Sequence, residues 1–193
     1  TFAMYWLLPR IVEYERREKS VQINLITRQT NDPVDFSNSD LLVTRGMGSD
    51  QLRRFSKRNV LFYEEMTVLA APIFLKRYPI KKPEDVFTQP RVSAATRPDD
   101  WMQWATTAGL RDTQQSLRHR FDHLFVALHA VRDGVGSIVA PRNLLQVGIR
   151  KPFVAPAPRI SFQGRPYVIH SKSSTEPFYI RNFLAWLLQQ CSQ

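Results

Sequence analysis

Cysteine, glycine and long apolar runs are scarce in this sequence, and each scarcity excludes a class of protein. Cys191 is the only cysteine, so the chain is not a scaffold held together by internal disulfides. The 7 glycines are outnumbered by 13 prolines, which argues against flexible linkers. Arg10 interrupts the first apolar run well before the roughly 20 residues that a transmembrane helix needs. A globular protein remains, and its 43% of hydrophobic residues are enough to form a core.

Acidic residues are also few. The 27 lysines and arginines outnumber 17 acidic residues, and the net charge of +10 favours nucleic acid, acidic lipid headgroups or small carboxylates as partners. The basic clusters at 16–19 and 53–58 are short and carry no zinc-finger or RNA-recognition pattern, so a solvated basic surface is the simpler interpretation. The single cysteine and the lack of a signal-peptide pattern favour the reducing cytoplasm.

Strand-like and helix-like patterns alternate along the chain, which predicts an α/β fold in which helices cover a parallel sheet. The predicted strands are VQINLIT, SDLLVTRGMG (buried on both faces), NVLFYEEMTVLAAP, RVSAAT, SLRHRF, VGSIVAP and RPYVIHS. The predicted helices are TFAMYWLLPRIVEYERR, DDWMQWATTAGL, FDHLFVALHAVRDG and EPFYIRNFLAWLLQQ, with short helical turns in IFLKRYPIKKPEDVF and PRNLL.

Residue spacing also predicts how two of the helices begin, end and pack. Pro9 is acceptable in the first helix if it falls in the first turn, where the missing amide costs little. Its predicted buried side is formed by Leu7, Leu8, Ile11 and Val12. Asp122 is predicted to cap the helix in FDHLFVALHAVRDG, and Gly134 to end it.

Histidine and carboxylate pairs are present, but they form no recognisable metal or catalytic set. His119 and His123 have the spacing of metal ligands on one helix, yet the residues between them indicate a strand-to-helix junction, and no third ligand is near. Glu64 and Glu65 are neighbours on an extended segment, so their side chains point to opposite faces. The sequence therefore predicts no metal, no cofactor and no enzyme activity.

Trp101 and Trp104 lie three residues apart on a predicted helix. This spacing fits either a stack on an aromatic ligand or packing in a core or subunit contact. Packing is the commoner use of such a pair, and it is the prediction.

Polar residues follow several predicted strands, at the positions where open parallel sheets bind ligands. The loops selected in this way are 27–29, 44–46, 95–97 and 121–123. Arg28 or Arg45 is able to clamp a carboxylate through two parallel hydrogen bonds. The alternative for each arginine is an exposed surface position or a structural ion pair.

Four pieces of the sequence carry a family likeness in their order: TFAMYWLLPRIVEYERR, SDLLVTRGMG, GVGSIVAPRNLL and FLAWL. With RPDDWMQWATTAG and RFDHLFVALHAVRDGVG, they resemble the effector-binding domain of LysR-type transcriptional regulators across essentially the whole chain. The likeness is particularly to the branch of the glycine-cleavage regulators and of the β-lactamase regulators that sense cell-wall fragments. The family's winged helix-turn-helix and the strand that normally precedes TFA have no counterpart here.

The resemblance implies two Rossmann-like subdomains joined by two crossover strands, as in type 2 periplasmic binding proteins, with a ligand cleft between them. The first subdomain is expected at 1–70 plus 167–193 and the second at 71–166.

The resemblance and the strand-end loops together predict an effector site in that cleft. Thr1 and Phe2 would begin the first helix, where backbone amides and a hydroxyl receive an anion. The other predicted contacts are Thr27, Arg28, Thr44, Arg45, Ala95, Thr96, Phe121, Asp122, His123 and Tyr167. In the β-lactamase regulators a hydroxyl-bearing residue is expected after the aspartate, where this chain has His123, and this difference weakens the case for the same ligand.

The implied function is that of a sensor for a small, anionic metabolite: an amino acid, a carboxylate or a cell-wall fragment. Homodimerisation is expected through the first helix and the helix at 122–132, with a tetramer in the full-length protein. Promoter DNA would be bound only through the missing domain, and no membrane is expected as a partner. The alternatives are a periplasmic solute-binding protein and an enzyme of similar two-lobed fold.

Overall fold

The computed structural model describes residues 1–27, 39–46, 57–112, 116–145, 153–171 and 177–191. The strands are β1 (Leu41–Arg45), β2 (Lys57–Leu69), β3 (Arg91–Ala94), β4 (Leu117–Phe121), β5 (Ile138–Pro141) and β6 (Phe162–Ser171). The helices are α1 (Leu8–Arg17), α2 (Pro72–Arg77), α3 (Asp100–Thr107), α4 (Leu124–Arg132) and α5 (Phe178–Gln189). A π-helix at Ala3–Leu7 and 3-10 turns at Pro83–Phe87 and Arg142–Leu144 complete the described elements. The predicted α/β alternation is therefore present.

The chain divides into two compact units. Unit 1 consists of Thr1–Tyr5 and Glu65–Gly164, and unit 2 consists of Trp6–Glu64 and Arg165–Gln193. Strands β2 and β6 each begin in one unit and end in the other. The subdomain boundaries drawn from the family resemblance stay a prediction.

Unit 1 is built around two short strand pairs and their covering helices. Strand β3 is parallel to β4, and the last residues of β2 are antiparallel to β5. Helix α4 packs on β3 and β4, while α3 contacts β5. One core cluster joins the helix and strand residues Met66, Val68, Val86, Trp101, Trp104 and Val139. The two tryptophans are packing residues, as predicted.

Unit 2 joins segments that lie far apart in the sequence. Strand β1 is antiparallel to β6, with Leu41 opposite Ser171 and Arg45 opposite Tyr167. Helices α1 and α5 pack through Tyr14, whose ring centroid lies 5.0 Å from that of Phe183.

The larger sheet contains antiparallel pairs. In the described strands it has the order β1–β6–β2–β5, with the antiparallel pairs given above, and β3 and β4 form a separate parallel pair. The prediction of a parallel sheet is therefore wrong for the larger sheet, because β6 returns to it from the carboxyl-terminal part of the chain. Strand β1 is half-buried along its length rather than buried on both faces.

The buried side of the first helix also differs from the prediction. Leu7 and Ile11 are buried as expected, but Leu8 and Val12 are 46% and 40% exposed. A π-helical turn spans more residues than an α-helical turn, so the π-helix before α1 rotates the buried face away from regular α-helical spacing. Pro9 lies in the first turn of α1, where its missing amide costs little.

The predicted strand VQINLIT is wrong for the described structure, in which Val21–Thr27 has no regular secondary structure. Its alternation is nevertheless visible, because Val21, Ile23 and Leu25 are half-buried while the residues between them are exposed. The Ile23 amide donates to the Glu15 carboxylate at 2.7 Å rather than to a neighbouring strand. Alternating apolar and polar residues indicate which side of a segment is buried. A β-strand also needs a neighbouring strand that hydrogen-bonds to its backbone amides and carbonyls.

The N-cap of helix α4 lies one residue later than predicted. His123, not Asp122, is in the N-cap position, because the backbone remains extended through His123 (φ −122°, ψ 145°). The other end of the helix agrees with the prediction. Gly134 follows it with a φ of +86°, a conformation that favours glycine.

Candidate functional site

The predicted site residues fall into both units, and each unit is described by itself. Unit 1 contains Thr1, Phe2, Ala95, Thr96, Phe121, Asp122 and His123. Unit 2 contains Thr27, Thr44, Arg45 and Tyr167. Arg28 lies outside the described residues.

In unit 1 the parallel pairing of β3 and β4 brings two predicted loops together. Ala94 is in register with Phe121, and the Ala95 amide donates to the Phe121 carbonyl at 2.7 Å. The loop that holds Thr96 therefore starts beside the loop that holds Asp122, and both of these polar residues are exposed. This is the arrangement in which parallel strand ends contribute to one ligand site.

His123 is oriented by the first turn of α4. Its ring stacks on Phe125, with centroids 5.7 Å apart and planes 11° apart. His119 lies on β4 and not on this helix, which confirms the strand-to-helix junction predicted between the two histidines. In the described part of the chain, no cluster of three or more histidine, cysteine or acidic side chains is suited to a metal ion.

Arg97 is a polar residue of unit 1 that the predicted contacts did not include. It is 7% exposed, and its guanidinium lies 3.8 Å from the Asp100 carboxylate and 3.9 Å from the Met66 sulfur. The available signal was an arginine in the loop 95–97 with an acidic residue three positions later.

In unit 2 the hydroxyl of Thr44 is part of a hydrogen-bonded group. Its Oγ1 lies 2.8 Å from His170 Nε2 and donates to the Gly46 carbonyl at 3.1 Å. His170 is buried on β6. Burial, and after it the charge of Arg58, lower the pKa of His170, which favours the neutral imidazole.

Arg45 forms a bidentate ion pair with Glu64. Its Nε and Nη2 donate to the two carboxylate oxygens at 2.9 and 2.8 Å. The Glu64 side chain is fully buried, whereas 28% of the Arg45 side chain is exposed. Arg45 is thus a structural ion-pair partner, one of the two alternatives, and a clamp on a ligand carboxylate stays a prediction for it.

Tyr167 and Thr27 differ in their exposure to solvent. Tyr167 is buried opposite Arg45 in the β1–β6 pair, and its ring lies 5.4 Å from Phe62. Thr27 is exposed, in the segment without regular secondary structure. The structure brings Thr44, Arg45 and Tyr167 to one end of the β1–β6 pair.

Glu64 and Glu65 do not form a carboxylate pair. Glu64 binds Arg45 within unit 2, whereas Glu65 forms an ion pair with Arg142 within unit 1. The Glu65 backbone amide also donates a hydrogen bond to Asn143 Oδ1 at 3.0 Å. The prediction that the two side chains point in opposite directions agrees with these contacts.

Known families and structures match both the sequence and the fold. A family model described as the LysR substrate binding domain matches residues 1–192. The chain therefore belongs to the LysR substrate-binding-domain family. It has the α/β fold of this family, the type 2 periplasmic-binding-protein-like fold, in which two Rossmann-like subdomains are joined by two crossover strands.

Its relatives include transcriptional regulators from two bacteria. The chain is 28% identical to the HTH-type transcriptional activator AmpR of Pseudomonas aeruginosa and 26% identical to the glycine cleavage system transcriptional activator homolog of Haemophilus influenzae. Each alignment covers 100% of this chain and 64% of the relative, so the chain spans a little under two thirds of their length.

A solved structure agrees with this placement at the level of the fold. The AmpR effector binding domain from Citrobacter freundii aligns with a TM-score of 0.77 at 22% identity, over 99% of this chain and 94% of that one.

As for membrane contact, none of the described helices combines the length and the apolar character that crossing a bilayer requires.

Proposed function

We propose that this chain is the effector-sensing domain of a bacterial LysR-type transcriptional regulator in the cytoplasm, and that it binds rather than transforms its ligand. The observation that carries the proposal is the pairing of β3 with β4, which sets Ala95 and Thr96 beside Phe121–His123. The family match over nearly the whole chain supports the same assignment.

The proposed effector is a small anionic metabolite: an amino acid, a carboxylate or a cell-wall fragment. The net charge of +10 and the buried guanidinium of Arg97 in the loop 95–97 favour an anion. In unit 1 the contacts would come from Thr1, Phe2 and the two strand-end loops. In unit 2 they would come from Thr27, Arg28, Thr44, Arg45 and Tyr167, in the cleft that the resemblance predicts.

The proposed output is a change in how the full-length protein engages promoter DNA through its separate DNA-binding domain. An effector changes that output only by its difference in affinity for two states of the protein. Relatives named as transcriptional activators support this role over that of a solute-binding protein or an enzyme.

Homodimerisation is part of the proposal, with a tetramer in the full-length protein. On α1 the apolar residues Leu8 and Val12 are exposed. On α4, Phe125 and Val126 are exposed in the same way. Exposed apolar residues on the two helices that the resemblance assigns to the dimer support a protein contact there.

A thermal-shift screen of amino acids, carboxylates and muropeptides, followed by calorimetry on any hit, tests the effector site. Replacing Thr96 by Ala is expected to weaken binding of the hit by about fivefold, the effect of losing one hydrogen bond. The matched control is Thr106→Ala, which removes an exposed hydroxyl on the outer part of α3 and should leave the affinity unchanged.

A double variant tests whether the two arginines clamp a carboxylate of the effector. The double variant Arg28→Ala, Arg45→Ala should bind an anionic hit more weakly, and unchanged binding would refute the clamp. If Thr96→Ala and this double variant both bind the hit as the parent protein does, the proposed location of the effector site is wrong.

A further inference from the structure

A second candidate site lies on unit 2, and none of the residues that line it is a predicted effector contact. A surface cavity of about 260 Å³ opens between the last turn of α1 and helix α5. Its lining includes Tyr14, Arg17, Glu18, Asn182, Trp186 and Gln189. The volume is slightly below the roughly 300–1,000 Å³ of pockets for drug-sized molecules, so it suits a small metabolite.

The inner wall of this cavity is aromatic and rigid. Tyr14 is 4% exposed, and its ring centroid lies 5.1 Å from that of Trp186. Trp186 also stacks on Phe183 at 6.2 Å. Two buried rings that already pack against each other offer an apolar surface that needs little rearrangement to receive a ligand.

The indole N–H of Trp186 is an unused donor. It is buried and has no hydrogen-bond partner in the part of the chain that the structure describes. Buried polar groups nearly always have a partner in the protein, in ordered water or in a ligand. A hydrogen-bond acceptor on a ligand bound in the cavity would supply that partner.

The rim of the cavity carries one charge of each sign. Arg17 and Glu18 are both exposed, and within the described residues neither forms an ion pair. Glu18 is close to the aromatic wall, because its charge adds to burial in raising the pKa of Tyr14. Asn182 and Gln189 on α5 add exposed amide groups that donate or accept hydrogen bonds.

We propose that this cavity binds a free α-amino acid with an apolar side chain. The carboxylate binds Arg17, the ammonium group binds Glu18, and the side chain packs on Tyr14 and Trp186. A molecule with only a carboxylate would meet the like charge of Glu18, and one with only an amine would meet Arg17. The zwitterion alone satisfies both charges.

The position of the cavity gives the ligand a structural consequence. It bridges α1 and α5, so a bound amino acid restrains α1, the helix on which Leu8 and Val12 are exposed. The site is thus suited to modulate contacts made by α1 without involving the strand-end loops.

The experiment is a titration of the ¹⁵N-labelled chain with L-leucine, followed through the Trp186 indole N–H signal. Trp186→Phe identifies that signal among the tryptophans. L-leucine is expected to shift it saturably. The probes 3-methylbutan-1-amine and 4-methylpentanoate each lack one charge of leucine and should bind at least about fivefold more weakly, the size of one lost ion pair.

Charge variants on α1 decide the assignment. Arg17→Gln and Glu18→Gln should each weaken leucine binding by about fivefold. The matched controls Arg16→Gln and Glu13→Gln remove exposed charges from the same helix outside the cavity and should bind leucine as before. The proposal is overturned if the indole signal does not respond to leucine, or if the cavity variants and the controls bind equally well.

Discussion

Unit 1 and unit 2 are assembled from the sequence in different ways. Apart from its first five residues, unit 1 is the continuous stretch Glu65–Gly164, whereas unit 2 combines Trp6–Glu64 with Arg165–Gln193. The Thr44–His170 hydrogen bond of unit 2 joins residues 126 positions apart. Unit 1 is therefore determined largely by neighbours in sequence, and unit 2 by contacts that close long loops.

The two units also hold an ion-paired arginine differently. In unit 1 the guanidinium of Arg91 is 4.8 Å from the ring centroids of both Phe87 and Trp101. It donates to Ser116 at 2.7 Å and pairs with Asp112 at 2.8 Å, and both charged partners are almost fully buried. In the Arg45–Glu64 pair of unit 2, the Arg45 side chain is partly exposed to solvent. Burial of both partners makes a pair more costly to break.

Replacing Arg91 by Ala is expected to have the largest effect. It leaves the Asp112 carboxylate buried without its cation and removes the group between two rings, which should lower the free energy of unfolding by about 3–5 kcal/mol. Urea denaturation measures the change. Arg111→Ala, an exposed arginine of the same unit, should change it by less than about 0.5 kcal/mol. Equal effects of the two substitutions would contradict the contrast in burial.

Local patterns were sufficient for most of unit 1. The predicted strands RVSAAT, SLRHRF and VGSIVAP contain β3, β4 and β5, and the tryptophan helix is α3. Each of these elements contacts a neighbour close in sequence, so residue periodicity and turn residues carried the necessary information. The error at Asp122 was one residue, within the usual uncertainty of a helix boundary.

Local patterns were insufficient in unit 2. The apolar residues of the first helix were recognised, but a π-helical turn that periodicity does not reveal decided which of them are buried. VQINLIT has the alternation of a strand without a described partner strand. For the candidate site, sequence selected the loops at the strand ends, but not the burial of Arg97 or the pairing of Arg45 with Glu64.

A comparison on α1 tests the corrected helix face. Ile11 is 4% exposed, so Ile11→Ala should lower the free energy of unfolding by about 2–4 kcal/mol. Leu8→Ala should change it by less than about 0.5 kcal/mol, because Leu8 is already exposed. Sedimentation of Leu8→Ala tests the proposed dimer contact in the same protein, where a shift towards monomer is expected. Similar losses of stability from Leu8→Ala and Ile11→Ala would support the prediction from sequence, in which both residues are buried.

Neighbouring glutamates on β2 allow a smaller, closely matched comparison between the units. Glu64→Gln should cost about 1–2 kcal/mol, less than a fully buried pair because Arg45 retains access to water. Glu65→Gln should cost less than about 1 kcal/mol, since both side chains of its pair with Arg142 are more than one third exposed. Chemical denaturation of the two variants measures the difference in the free energy of unfolding. A larger loss for Glu65→Gln than for Glu64→Gln would contradict the assignment of the Arg45–Glu64 pair as the stronger of the two.

The smallest expected effect is a pH dependence that arises in unit 2. The pKa of His170 is lowered from its ordinary 6.5 by burial and then by Arg58, whereas the unfolded chain keeps the ordinary value. Below pH 6.5 the unfolded state thus binds protons that the folded state does not, and stability falls as the pH decreases towards the folded pKa. His170→Gln should flatten the dependence of the free energy of unfolding between about pH 8 and about pH 5. His119→Gln, an exposed histidine of unit 1, is the control. An unchanged slope in His170→Gln would show that its buried contact with Thr44 is not the source of the pH dependence.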